Sequence, residues 1–534
     1  MIILLSFALA MLTTTVTLPA LRTHAAKLGL VDRPDTSRKV HTESTPHSGG
    51  VAIVLGVLVA SLVYIPSSAG YFALFGCIAI IVLFGLLDDL RELGHRSKFL
   101  SQAIASALLL ATYGGFQQIP FLPLDSAPAW LTLAFSFVFL IGVTNAVNLS
   151  DGLDGLAAGN GLLSLIILAL FSAQAEQTAL LVLALALAGG LVGFLRFNTH
   201  PASIFMGDTG SQFIGFTAAA LAMLIAGSEQ TPLGALVPLL IFGLPILDTF
   251  TVIAIRKWRG RPVFSADRSH LHHQLLAVGL HHYEVVIILY ILQAVCVGMA
   301  YQMRFEPDLL VLGAYLLFCV MVLTTLGVAR VNNWRVHSKS AGDHGERRNL
   351  ILRRLSWYQV NTARVLAPML GAVLLFAGLE HNASVELSRT ALAALAIIAL
   401  VWIVLHKRMV MVTRTVCYLA GSLAIYGLLL DGPTTEHLFG LDIAIGALAV
   451  MLALAIRLTR KTQFHLDSQD YLTFLIVVVA PLLLPSSLGG PTAARIVVYL
   501  AVMLYATEYI ATKGKLTRWA LCAVGAASIA LVAI

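Results

Sequence analysis

The chain reads as an all-α, polytopic integral membrane protein, and three observations carry that reading. Of its 534 residues, 58% are hydrophobic and 11% charged, whereas a soluble domain has about a quarter of its residues charged. Mean hydropathy is +0.88. Apolar runs of about 17 to 25 residues, enough to cross a hydrocarbon core as helices, recur from the N-terminus to Ile534 with short polar breaks. The basic residues also alternate in register with those runs. No stretch between runs is long enough for a large soluble domain. The net charge of +7 is spread over short loops rather than gathered on one face, so nucleic acid is not an expected partner.

Taken in order, apolar runs place spans near residues 1 to 20, 49 to 67, 70 to 87, 99 to 113, 129 to 147, 156 to 173, 177 to 195, 209 to 227, 231 to 255, 283 to 302 and 308 to 328. The first run lacks a basic leader and a small-residue cleavage site, so it is read as a retained span. With the N-terminus outside, the loops after odd-numbered spans face the cytoplasm. They hold Arg22, Lys27, Arg33, Arg38 and Lys39, then Arg91, Arg96 and Lys98, then Arg256, Lys257, Arg259, Arg261 and Arg268, the asymmetry that the positive-inside rule requires. A basic segment at 331–364 reads as a cytoplasmic linker, and residues 365–534 add about seven further spans without a comparable acidic motif. The five cysteines stand singly in apolar runs without metal-ligand spacing.

Five polar clusters interrupt this pattern, and span parity puts all of them on one side. They are RKVHTESTPHSGG from Arg38, DDLRELGHRSK from Asp88, NAVNLSDGLDGLAAG from Asn145, FNTHPASIFMGDTGS from Phe197 and DRSHLHHQL from Asp267. Charge at membrane depth is costly, so Asp88, Asp89, Asp151, Asp154, Asp208 and Asp248 at or near span ends need water, cations or partners. Several carboxylates on one aqueous pocket suit a hard divalent cation. Magnesium takes one or two carboxylates and fills its shell with water and substrate phosphate.

Adjacent helix positions point about 100° apart, so at most one of Asp88 and Asp89 faces a given pocket; solvated helix-end acids are the plainer reading of the pair. Lys98 offers a phosphate contact. The spacing of three through Asn145, Asn148, Asp151 and Asp154 predicts one helical face carrying two amides and two carboxylates, against a reading of simple capping. Asp208 is either the N-cap of the eighth span or a metal ligand at a helix end that also attracts phosphate. His270, His272 and His273 compete as zinc or phosphate ligands. They lack the i, i+4 pair and the accompanying cysteines of common zinc sites, so phosphate binding with Arg268 is preferred. Lys39 and His41 supply a second cationic edge, or serve topology alone.

Together and in this order, these motifs resemble the polyprenyl-phosphate N-acetylhexosamine-1-phosphate transferases, the WecA/MraY type, over residues 1 to about 330. NAVNLSDGLDGLAAG and FMGDTGS are the most specific. The interrupted His-Leu-His-His pattern, and Leu244 to Thr249 with Arg256, look like the WecA branch rather than the peptidoglycan-precursor branch, whose UDP-MurNAc-pentapeptide donor is the alternative. The resemblance implies a transferase core at 1–330 that moves HexNAc-1-phosphate, GlcNAc first, from a UDP-HexNAc to undecaprenyl phosphate, releasing UMP and initiating a cell-surface polysaccharide. It implies a bacterial inner membrane, an active site on the cytoplasmic face, and magnesium, with manganese as a substitute.

By position Asp208 would bind the metal, with Asp151 as second candidate, and Asp88 and Asp89 would serve the lipid phosphate. Asn148, Asp151 and Asp154, with Asn145, would arrange the nucleotide site, and Arg268, His270, His272 and His273 would hold the diphosphate. Direct in-line displacement is favoured over a phosphoenzyme on Asp88, Asp89 or Asp208. The family pattern says nothing of the extension at 365–534 or of whether the chain forms a homo-oligomer. An ion-coupled transporter is the reading from another class, but its acids belong near the bilayer midplane.

Overall fold

A computed structural model describes most of residues 2–334 apart from 32–44, 92, 123–126, 229–232, 263–268 and 333; beyond 334 it describes separate stretches, chiefly 365–375, 416–421, 442–452 and 515–533. Lys39, His41, Arg268 and nearly all of the 331–364 linker lie outside the described residues.

Every regular element among the described residues is helical. The first unit, residues 1–338 with 467–476, contains thirteen of them: α1 (Ile2–Leu28), α2 (Gly49–Tyr64), α3 (Ala69–Arg91), α4 (His95–Tyr113), α5 (Ala129–Leu149), α6 (Leu156–Gln174), α7 (Thr178–Asn198), α8 (Gly207–Ala226), α9 (Val237–Ile241), α10 (Gly243–Trp258), α11 (Leu271–Ala277), α12 (His282–Gln302) and α13 (Asp308–Val331). Eight of these, α1, α3, α5, α6, α7, α8, α12 and α13, are long and apolar enough to cross a membrane. The chain is an integral, multi-pass membrane protein.

Burial sorts the helices into layers. Helices α6, α7 and α8 are enclosed over most of their length. Around them α1 packs on α2 and α7, α3 and α5 pack on α8, and α12 packs on α6. The outer helices leave large apolar side chains bare, among them Val16, Leu62, Leu309 and Leu317, each at least 70% exposed. In water such surface would drive aggregation; against acyl chains it carries no penalty.

Two polar features hold the interior together. Asn145 donates to Gln102 Oε1 at 2.6 Å, and Gln102 donates to Gln212 Oε1 at 3.1 Å, tying α5, α4 and α8. The expected single span at 231 to 255 is instead broken at Phe242 into α9 and α10. A broken helix in an apolar interior must find partners for its freed backbone groups, and it does. Ser164 Oγ and Gln293 Nε2 donate to Ile241 O at 2.8 Å each, Gln293 Oε1 accepts from Leu244 N at 3.3 Å, and Tyr315 OH donates to Gly243 O at 2.9 Å. The apolar run conceals this break because hydropathy does not register backbone geometry.

The second unit comprises 339–466 and 477–534. Its described helices, Val365–Leu375, Asp442–Leu452 and Lys515–Ala533 among them, share a core that includes Leu366, Leu370, Leu374, Leu448, Tyr509 and Ile529. Within it Tyr499 OH donates to Asp442 Oδ1.

Candidate active site

The start of α8 organises the site. Gly207 has φ +72°, a left-handed conformation that side chains disfavour, and a Cβ there would sit 2.7 Å from Asp89 Oδ2. This lets the loop turn sharply into the helix with its free amides facing α3. Asp89 takes them up: its Oδ1 accepts from Asp208 N at 2.7 Å, and its Oδ2 accepts from Thr209 N at 3.0 Å and Thr209 Oγ1 at 2.5 Å. A carboxylate from another helix thus caps α8 and meets the positive end of its dipole. The residue before the helix, Met206, makes no side-chain cap. Asp208 is the second residue inside the helix rather than its N-cap. The same loop is pinned to the start of α2, with Gly49 and Gly50 N–H donating to Phe205 O and Met206 O at 2.9 and 2.8 Å.

With its backbone held this way, Asp208 turns its carboxylate toward Lys98 and Asn148. Lys98 Nζ, at the N-terminal end of α4, lies 2.8 Å from Asp208 Oδ2 and 2.9 Å from Asp88 Oδ2, bridging the two acids. Asn148 Nδ2 donates to Asp208 Oδ1 and to Ser211 Oγ, each at 2.7 Å. Asp88 is 6% exposed, and its buried Oδ1 has no hydrogen-bond partner among the described residues. Neighbouring acids therefore have different tasks: Asp89 holds a helix, and Asp88 faces Lys98 and Asp208.

The expected helical face at 145 to 154 does not form as one surface. Helix α5 ends at Leu149 with Ser150 as its C-cap, and Gly155, with φ +81°, precedes α6. Asn145 lies on α5 and is committed to Gln102 and Ile141 O. Asp151 and Asp154 stand in the connecting loop. Asn and Asp end helices readily because their side chains compete for local backbone groups, so the spacing of three runs through a helix end and a loop rather than along one helix. Asp151 is exposed. Packing of the surrounding protein, with the charges of Asp208, Asp154 and Asp89, raises its carboxyl above the usual carboxylate range. Asp154 is buried; its Oδ2 accepts from Ala202 N at 3.0 Å and pairs with His200 Nδ1 at 2.7 Å.

The histidine motif closes the other side. His272 is buried, and burial pushes its imidazole down to about 3, so it is neutral at physiological pH and acts only through a ring nitrogen. It packs against Gly152, where a methyl would overlap its ring. Gly152→Ala is accordingly expected to displace His272 and lower turnover about tenfold or more, read by steady-state kinetics; unchanged kinetics would show that the two loops do not act together. His273 lies with its ring 4.3 Å from that of His272.

Two features escaped the sequence reading. His200, within the FNTHPASIFMGDTGS stretch, pairs with Asp154 and stacks on His282 with ring centroids 4.0 Å apart. Asp248 pairs with His270. Both groups, Asp154/His200/His282 and Asp248/His270/His272, bring possible metal-ligand atoms within 4.8 Å of one another. Their nitrogen-rich donor sets suit zinc-like ions. In both, however, the imidazoles lie nearly parallel, at 19° and 16°, whereas a shared ion must lie near the plane of each ring. Asp88 and Asp208, joined through Lys98 and with Asn148 beside Asp208, instead offer oxygen donors, the type that suits a hard cation that keeps much of its water. The buried Asp88 Oδ1 is an acceptor in want of a cation or donor.

Residues 71–226 match the family model for glycosyl transferase family 4. The chain is 36% identical over 296 residues to a probable undecaprenyl-phosphate N-acetylglucosaminyl 1-phosphate transferase of Bacillus subtilis, covering 54% of this chain and 82% of that protein. It is 35% identical over 321 residues to a decaprenyl-phosphate N-acetylglucosaminephosphotransferase of Mycobacterium tuberculosis, covering 53% and 78%. It is 34% identical over 304 residues to a phospho-N-acetylmuramoyl-pentapeptide-transferase of Geobacillus kaustophilus, covering 53% and 90%.

Proposed function

The chain belongs to glycosyl transferase family 4, and we propose that it transfers N-acetylglucosamine-1-phosphate from its UDP derivative to undecaprenyl phosphate, releasing UMP. The observation that carries this reading is the convergence of Asp88, Lys98, Asn148 and Asp208 from four helices onto one helix end. The GlcNAc-1-phosphate transferases among its relatives favour this donor over the pentapeptide donor of the third.

The proposed step forms a bond between a phosphate oxygen of the lipid and the sugar-bearing phosphorus, while the bond from that phosphorus to the bridging oxygen breaks and UMP leaves. A phosphate monoester has its second pKa near 6, so the attacking oxygen is already ionised at neutral pH and needs no strong base. The obstacle is repulsion between two anions. Lys98 answers it with positive charge set between Asp88 and Asp208, and Asn148 and Asp89 hold Asp208 in place from either side. His270, His272 and His273, with Arg268, line the diphosphate side, where His272 serves as a neutral partner. Asp154 and Asn148 arrange the nucleotide, and Lys39 and His41 form the second cationic edge.

The oxygen donors fit magnesium, with manganese as a substitute, held by Asp208 first and Asp151 second. When bound, it would neutralise charge on the phosphates. We place the site on the cytoplasmic face of a bacterial inner membrane, in an eleven-span core over 1–330, with 331–364 as linker and 365–534 as an extension of about seven spans. The product would feed a cell-surface polysaccharide.

The test is UMP release by the purified full chain with undecaprenyl phosphate and a panel of UDP-HexNAc donors. Release should require lipid, favour UDP-GlcNAc, stop with chelator and return with magnesium. Lipid-independent release, or full activity in chelator, would refute the corresponding part.

A further inference from the structure

We propose that Asp248 is a positioning residue that holds the proton of His270 on Nδ1, and so decides what the other ring nitrogen presents to the diphosphate. The inference rests on the transferase reading above. Asp248 lies on α10, just beyond the break at Phe242, and the residue is 6% exposed. Both oxygens are engaged by one short segment: Oδ2 is 2.8 Å from His270 Nδ1, and Oδ1 accepts from Leu271 N at 2.7 Å. His270, itself 8% exposed, is the residue from which α11 begins.

An ionised carboxylate only accepts hydrogen bonds. The Nδ1 of His270 must therefore carry the proton, and Nε2 is the nitrogen left to interact elsewhere. Buried and bonded at both oxygens, the carboxylate has little freedom, so the ring inherits a fixed orientation. The Leu271 bond extends the same anchor to the backbone, which fixes the first turn of α11 and with it His272 over Gly152. The break in the ninth apolar run thus gains a use: α10 starts afresh at Gly243 and brings Asp248 to the histidine loop.

Asp248→Asn tests this in the full chain. The new amide oxygen still accepts from Leu271 N, while its NH2 group donates to Nδ1 and drives the ring proton to Nε2. Nitrogen-15 spectra of histidine-labelled protein, with the His270 signals assigned by their loss in His270→Gln, should show the protonated nitrogen change from Nδ1 to Nε2. Turnover should fall about a hundredfold or more with the donor KM within about threefold, and Asp248→Glu, which keeps both acceptors, should recover part of it. Adding Asp248→Asn to His270→Gln should cost little further, since the two act as one unit.

Wild-type turnover in Asp248→Asn, lost turnover with an unchanged tautomer, or full additivity with His270→Gln would each overturn the proposal. If Asp248→Asn does not fold, Asp248→Glu decides: the Nδ1-protonated ring and measurable turnover are expected, and an Nε2-protonated ring overturns it. Failure of the transferase reading is distinguishable, because the unmutated protein would then release no UMP while the tautomer measurement still reported on the pairing.

Discussion

Asp208→Asn should lose about a thousandfold in turnover and keep its fold. The fold is expected to survive because the bond from this residue to Asp89 runs through the Asp208 backbone N–H, which the substitution leaves alone. The Asn148 contact can persist as well, since an amide oxygen still accepts at Oδ1. The change falls on Oδ2, where an NH2 group would point at Lys98 Nζ across the present 2.8 Å. Two donors would face each other, Lys98 would keep only Asp88, and the proposed cation would lose a full negative charge. Loss of one oriented charge-stabilising group costs about 10²- to 10³-fold in other enzymes, and here two cationic elements are disturbed together. Steady-state UMP release across a magnesium titration, with a thermal melt of the same preparation, checks it. Normal turnover at saturating magnesium would remove Asp208 from the metal role.

The adjacent acids should part company under mutation. Asp89→Ala removes three hydrogen bonds to the first turn of α8, including a charged cap on an otherwise uncapped helix. By the usual worth of caps and charge-assisted bonds this costs about 2 to 3 kcal/mol, and activity falls with the fold. Asp88→Asn removes one negative charge beside Lys98 and no cap, so melting should hold while turnover drops about a hundredfold. Parallel melts and kinetics decide; equal thermal losses in both variants would sink this division.

That division explains where the sequence was legible and where it was not. Two aspartates in a row at the end of an apolar run already imply different directions, because helix geometry separates neighbours by about 100°. Which one caps α8 depends on a helix that begins 118 residues after Asp89, and no local pattern encodes that meeting. The face drawn through Asn145, Asn148, Asp151 and Asp154 failed for a related reason. Periodicity assumes a continuous helix, whereas Asn148 sits on α5 and the two acids sit in the loop beyond Leu149.

What the sequence determined by itself is the membrane setting and the membership of the polar groups. The free energy of placing side chains in hydrocarbon is additive enough to be read along the chain, so apolar runs anticipated the long helices and the clusters that interrupt them. Pairing belongs to the tertiary structure. Lys98 with Asp88 and Asp208, His200 with Asp154, and Asp248 with His270 join residues 10 to 110 positions apart. The break at Phe242 is likewise a tertiary decision, since Ser164, Gln293 and Tyr315 stabilise an interrupted backbone that hydropathy alone would continue. Hydrogen bonds and ion pairs act over about 3 Å, and only the packed helices determine which distant groups come that close.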